Sequence, residues 1–174
     1  EYYRAQAMRR SVHKIPRVIS CADSEGGYLV LPRGCEEELE AAAVGAGSVL
    51  EIVDETEEGR AIKVSFKGAL LPEQVPAAEA MLAPDNGALR AATAFGKTVL
   101  SAYLIAQRGV STVILVHTTA LVYQWQEKLM EFLEIDEPLP ESKAGRGRKK
   151  EYLPVGVKVG GKDTRTGTID VVCY

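Results

Sequence analysis

Between Ala91 and Thr98 the chain reads Ala-Ala-Thr-Ala-Phe-Gly-Lys-Thr, and no other stretch limits its fold so tightly. Ala92, Thr93, Ala94 and Gly96 are small, so the backbone around Phe95 can wrap closely about an anion and turn successive N–H groups inward. The spacing fits a phosphate-binding loop with alanine in place of glycine at its first position. Such a loop works where a strand delivers the chain and a helix carries it away, because the first N–H groups of the helix then face the phosphate. Lys97 supplies a point charge suited to the β and γ phosphates of a nucleotide, and the Thr98 hydroxyl a ligand for Mg²⁺. The plainer alternative, an incidental Gly-Lys-Thr at a helix start, leaves the run of small residues unexplained.

The flanking pattern supplies the context this loop requires. Residues 87–92 suit a short strand, 98–107 a helix, 120–133 another helix and 169–173 a strand. The unbroken apolar, β-branched run at 112–116 has the character of a parallel strand covered on both faces. Strand alternating with helix predicts an α/β fold with a parallel sheet. Ahead of it, residues 75–82 show helical spacing, and Gly68 and Pro72 mark a boundary. Residues 15–66 have a different rhythm. Runs at 15–21 and 28–32 flank Gly26-Gly27 as a hairpin does, 36–44 suits a helix, and 48–53 and 61–66 suit strands joined across 54–59. The expectation is a small α+β accessory domain over residues 1–68 and an α/β domain over 69–174.

Composition narrows the partners. The net charge of −3 and pI near 5.5 give no global attraction to a polyanion, so any nucleic-acid contact must be local. The dense basic run at 143–150 is interleaved with glycine and reads first as a solvated loop. No apolar run reaches the roughly 20 residues of a membrane span, and the first residues lack the layout of a secretory signal, which predicts a soluble, cytoplasmic protein without membrane partners. Cys21, Cys35 and Cys173 show no metal-ligand spacing and are expected as reduced thiols.

Four segments in order resemble the superfamily 2 DNA or RNA helicases, in particular the group related to type III restriction subunits and excision-repair helicases. Leu70-Leu71-Pro72-Glu73-Gln74 is similar to that family's Leu-Arg-Pro-Tyr-Gln lead-in, with Leu71 and Glu73 where the family has arginine and an aromatic residue. The loop at 91–98 is the second segment. Residues 116–125, with Leu121-Val122-Tyr123-Gln124-Trp125, look like motif Ia. Residues 159–172, with Gly160-Gly161, resemble the turn and strand before motif II, and no Asp-Glu box follows. Leu31-Pro32-Arg33-Gly34 also looks like a stretch of the small domain that precedes such motors.

The resemblance implies a partial RecA-like P-loop motor domain that uses ATP and Mg²⁺ to act on DNA or RNA, with restriction or defence partners unspecified. It implies that Lys97 and Thr98 are catalytic, that Gln74 reads the adenine edge, and that Thr118, Thr119, Gly161 and Arg33 contact nucleic acid. From the residues alone, Thr118 and Thr119 are equally suited to capping a helix, and Arg33 to an exposed turn. Trp125 reads as a core residue, His117 as a structural loop residue, and Asp170 as either solvent-facing or turn-bonding. A chain lacking the Asp-Glu box is expected to bind nucleotide weakly without turnover. Two rivals are another P-loop NTPase or kinase, and a non-catalytic nucleic-acid-binding module.

Overall fold

A computed structural model describes residues 1–18, 20–53, 57–141 and 151–174. The basic run at 143–150 lies outside the described residues, as do Ile19 and part of the 54–59 connection. The chain divides into two compact units, Glu1–Asp54 and Glu55–Tyr174. The division therefore falls earlier than residue 68. The physical reason is that 60–67 is hydrogen-bonded into the second unit: Ser111 donates to Arg60, Ile62 to Gly109, Asp136 to Lys63 and Lys67 to Phe132.

The first unit contains helix α1 (Tyr2–Ala7), strands β1 (Asp23–Glu25) and β2 (Tyr28–Val30), a 3-10 turn (Arg33–Cys35) and helix α2 (Glu36–Gly45). Gly26 and Gly27 have φ of 58° and 90°, the pair of positive values that a two-residue hairpin turn demands. The first strand of this hairpin thus sits at 23–25, nearer the turn than the 15–21 run, and 48–53 forms no strand. Ala5 is the single buried apolar residue among the described ones of this unit, while Tyr28, Leu29, Val44 and Val49 are exposed. Three-residue strands offer too little apolar face for a core of their own.

The second unit is a mixed α/β arrangement: β3 (Val64–Phe66), α3 (Val75–Leu82), α4 (Lys97–Arg108), β4 (Thr112–Val116), α5 (Thr119–Phe132), β5 (Leu133–Ile135), β6 (Val155–Val159), β7 (Lys162–Asp163) and β8 (Ile169–Cys173). The main sheet has the order β4-β8-β6-β7, with β4, β8 and β6 parallel and β7 antiparallel to β6. This layout is compatible with part of a RecA-like fold. A separate antiparallel ribbon pairs β3 with β5.

One face of the sheet holds the core. Ile169 and Val171 of β8, Val155 and Val157 of β6, and Val116 of β4 pack with Ala102 and Ile105 of α4 and Val122 and Leu129 of α5. Each such side chain, removed from water, contributes about 1.5–3 kcal/mol. Phe66 seals the ribbon against the helices, edge-on to Tyr103 and stacked on Phe132.

Two expectations change here. The run at 112–116 is covered on one face only: Val113 and Leu115 are 62% and 63% exposed, because α4 and α5 share the side of Ile114 and Val116. Residues 87–92 form no strand, since their backbone has no sheet partner among the described residues.

Candidate functional site

Helix α4 begins where the loop of small residues ends. Gly96 is its N-cap, held in the left-handed region at φ 85° and ψ 35°. Ala94 also has a positive φ of 66°, which costs a residue with a Cβ about 1–2 kcal/mol. Strain of this kind persists only where surrounding contacts impose it. Two left-handed residues with Phe95 between them curl the backbone tightly, and the Phe95 N–H reaches back to the Ala92 carbonyl at 3.4 Å. The first N–H groups of α4 have no intrahelical acceptor and open toward this curl.

Two side chains fasten the loop. Lys97 lays its ammonium across the turn, donating to the carbonyls of Ala91 at 2.8 Å and Ala92 at 2.7 Å. Gln74, 2% exposed, braces it from behind: its Nε2 donates to the Phe95 carbonyl at 2.7 Å, and its Oε1 accepts from the Leu71 N–H at 2.9 Å. A Cβ on Gly96 would stand 2.5 Å from that Nε2, so glycine is required there by φ and by space. In this conformation Gln74 presents its amide to the protein and is buried, so contact with an adenine edge requires the amide to become accessible. Thr93 is exposed and Thr98 is half-buried in the first turn of α4.

The carboxyl ends of the parallel strands gather the second group of residues. After β4 come His117, exposed, and Thr118, whose extended backbone and side-chain oxygen cap α5 by accepting from the Leu121 N–H at 3.3 Å. The hydroxyl keeps its own hydrogen to donate. Thr119 opens α5 and is exposed. After β6, Gly160 at φ 53° and Gly161 turn the chain into β7, and Lys162 places its ammonium 5.2 Å from the centre of the Tyr123 ring on α5. The structure thus brings Thr118, Thr119 and Gly161 to one edge. The connection from α4 to β4 is only Gly109, Val110 and Ser111, which turns the chain back, so the loop at 91–96 lies toward the same end of the unit. Arg33 belongs to the other unit, and its side chain lies outside what is described.

Asp170 resolves as a turn-bonding residue. It is 4% exposed and accepts from the N–H groups of Thr166 at 2.7 Å and Gly167 at 3.0 Å, drawing the 164–168 loop over β6. Trp125 packs on the core as its helical position suggests. Lys162, Tyr123 and the brace made by Gln74 carry no sequence signal of their own, because each depends on a partner 20 or more residues away. No group of three His, Cys, Asp or Glu among the described residues is arranged to hold a metal ion. No described helix is long and apolar enough to cross a membrane.

Asp163, beside Lys162, is gripped by Arg165 through Nε at 3.0 Å and Nη2 at 2.8 Å, with the Arg165 N–H adding a third bond. Those bonds lower its pKa to about 2 from an ordinary 3.8. A carboxylate with a depressed folded-state pKa stabilises the fold above its unfolded value and loses that contribution as pH falls through the folded one. The loop after β7 is therefore expected to loosen between about pH 4 and pH 2, seen as loss of amide protection at 163–168, with Asp163→Asn removing the dependence. Both groups are well exposed, so global stability should move little. An unchanged acid profile in the variant would contradict this.

A search of curated proteins returns no match. Residues 60–173 match the family described as the type III restriction enzyme res subunit, two thirds of the chain spanning the braced loop, both packed helices and the parallel sheet, and the chain belongs to that family.

Proposed function

We propose that residues 60–173 of this chain belong to the first motor domain of an ATP-dependent superfamily 2 helicase or translocase, and that residues 92–98 cradle the phosphates of ATP. The observation that carries the reading is the loop itself: left-handed at Ala94 and Gly96, braced by Gln74, with the Lys97 ammonium across its mouth. Incoming phosphate oxygens replace the carbonyls of Ala91 and Ala92 as acceptors for Lys97, a stronger, charge-assisted interaction. Small side chains at Ala92, Thr93, Ala94 and Gly96 let phosphate reach the backbone, and the open N–H groups of α4 favour its charge. The Thr98 hydroxyl is the group suited to hold Mg²⁺, which when bound neutralises charge on the transferring phosphoryl group.

Thr118, Thr119 and Gly161 fit the family's nucleic-acid partner, as exposed groups on an edge with hydroxyl and backbone donors that position phosphate without reading sequence. Arg33 is proposed as a further contact from the accessory unit. The Asp136-Glu137 pair does not serve as an acidic box for Mg²⁺ here, because Glu137 is spent on the Lys63 N–H and Arg60 at 2.8 and 2.9 Å.

Titration with a fluorescent ATP analogue and Mg²⁺ tests the reading. Lys97→Ala is expected to weaken binding about tenfold, the loss of one charge-assisted contact. Thermal unfolding should hardly change, because water can satisfy the exposed carbonyls of Ala91 and Ala92. Equal binding by the variant and the parent chain would end the assignment.

A further inference from the structure

The Lys162 ammonium and the Tyr123 ring meet across two elements that the fold, not the sequence, brings together: the start of β7 and the second turn of α5. The pairing is specific in one respect. The neighbouring carboxylate, Asp163, is taken up by Arg165 with two side-chain hydrogen bonds. Lys162 therefore makes no ion pair among the described residues and rests over an aromatic face. A ring holds a lysine in place without neutralising its charge, so the ammonium stays available to an anion. Both side chains are open to solvent, Tyr123 at 42%.

Position supplies the rest. Tyr123 lies four residues after Thr119, so the two stand one turn apart on the same face of α5. Thr118 and Thr119 sit at the end of β4, and Gly160 and Gly161 immediately precede Lys162 at the end of β6. Hydroxyls, a glycine turn with open backbone, and a held ammonium thus lie along one edge of the parallel sheet. Spaced donors followed by a cation suit a chain of phosphates better than a compact anion, and an exposed ring beside them suits an unpaired strand.

We infer that Lys162 is a phosphate contact for single-stranded nucleic acid and that Tyr123 is the positioning residue that holds it over the start of α5. The inference rests on the nucleic-acid part of the proposed function. The ring keeps the flexible lysine stem extended toward the strand, and the ammonium releases a counterion from the phosphate it meets.

Fluorescence anisotropy with labelled oligo-dT and oligo-rU of equal length, over a series of salt concentrations, tests it on the whole chain. At low salt Lys162→Gln is expected to weaken binding about tenfold and to reduce the slope of log K against log salt by about 0.7, the value for one phosphate on a single strand. Lys162→Arg should restore both. Tyr123→Ala is expected to weaken binding about threefold, a smaller loss because the charge remains, whereas Tyr123→Phe, which keeps the ring face, should match the parent chain. Preference for one oligonucleotide assigns DNA or RNA. If the parent chain binds and Lys162→Gln leaves the slope unchanged, the pair is not a contact and the proposed function survives. If the parent chain binds neither oligonucleotide, the nucleic-acid reading of this edge falls and takes the pair with it.

Discussion

Replacing Gly156 by alanine is expected to destabilise the second unit by about 3–5 kcal/mol, combining an overpacked site with loss of buried hydrogen bonds. Gly156 lies on β6 directly beside Asp170 of β8, under the 164–168 loop. A methyl group there would collide with the Asp170 carboxylate and stand 2.7 Å from the Arg165 Cα and 2.8 Å from the Thr164 carbonyl. Two of these three are backbone, so no rotamer change relieves the contact. The loop must lift, breaking the Thr164 N–H bond to Val157 and the two backbone bonds that satisfy Asp170. Against the 5–15 kcal/mol typical of a whole domain, such a loss removes a large share of the folding free energy. Urea denaturation measures it, and Val113→Ala, on the open face of the same sheet, serves as a control expected to cost under about 1 kcal/mol. A similar small cost for Gly156→Ala would show that the loop is not seated on β6.

Gly96→Ala is the second large effect, expected to cost about 2–4 kcal/mol and to reduce nucleotide binding more than tenfold. Part of the cost is the backbone: φ of 85° is unfavourable for any residue with a Cβ. The rest is collision with Gln74 Nε2, 2.5 Å from the added carbon. Gln74 is buried and cannot swing away without abandoning the Phe95 carbonyl and the Leu71 N–H. The double variant Gln74→Ala with Gly96→Ala separates the two contributions. Removing the amide ends the collision but not the φ strain, so the pair should be less destabilising than the sum of the single changes by about 1–2 kcal/mol. Additive costs would mean that the brace is not in contact with the N-cap. Nucleotide binding should remain impaired in the double variant, because the loop has then lost its support from α3.

Much of this architecture is written locally. Helical spacing over 75–82 gave α3 at its observed bounds, and the runs at 112–116 and 169–173 gave β4 and β8. Strand β6 at 155–159 was not among the expected strands, and the reason for a glycine within it is visible only in the loop above it. In the first unit the Gly26-Gly27 turn and the strand after it were legible while the strand before it was misplaced, since so short a hairpin takes its register from the turn and not from apolar pattern.

What the amino-acid order determined by itself was the run of small residues leading into Gly96-Lys97-Thr98 and the alternation of strand with helix, because propensity, period and backbone freedom act over a few neighbouring residues. What only the tertiary structure decided was which groups meet. Gln74 reaches Phe95, 21 residues on; Lys162 reaches Tyr123; β8 inserts between β4 and β6; Val113 and Leu115 are left open while Ile114 and Val116 are covered. Each of those outcomes turns on packing between distant segments, where the free energy of a residue depends on a neighbour that its own stretch of chain does not specify.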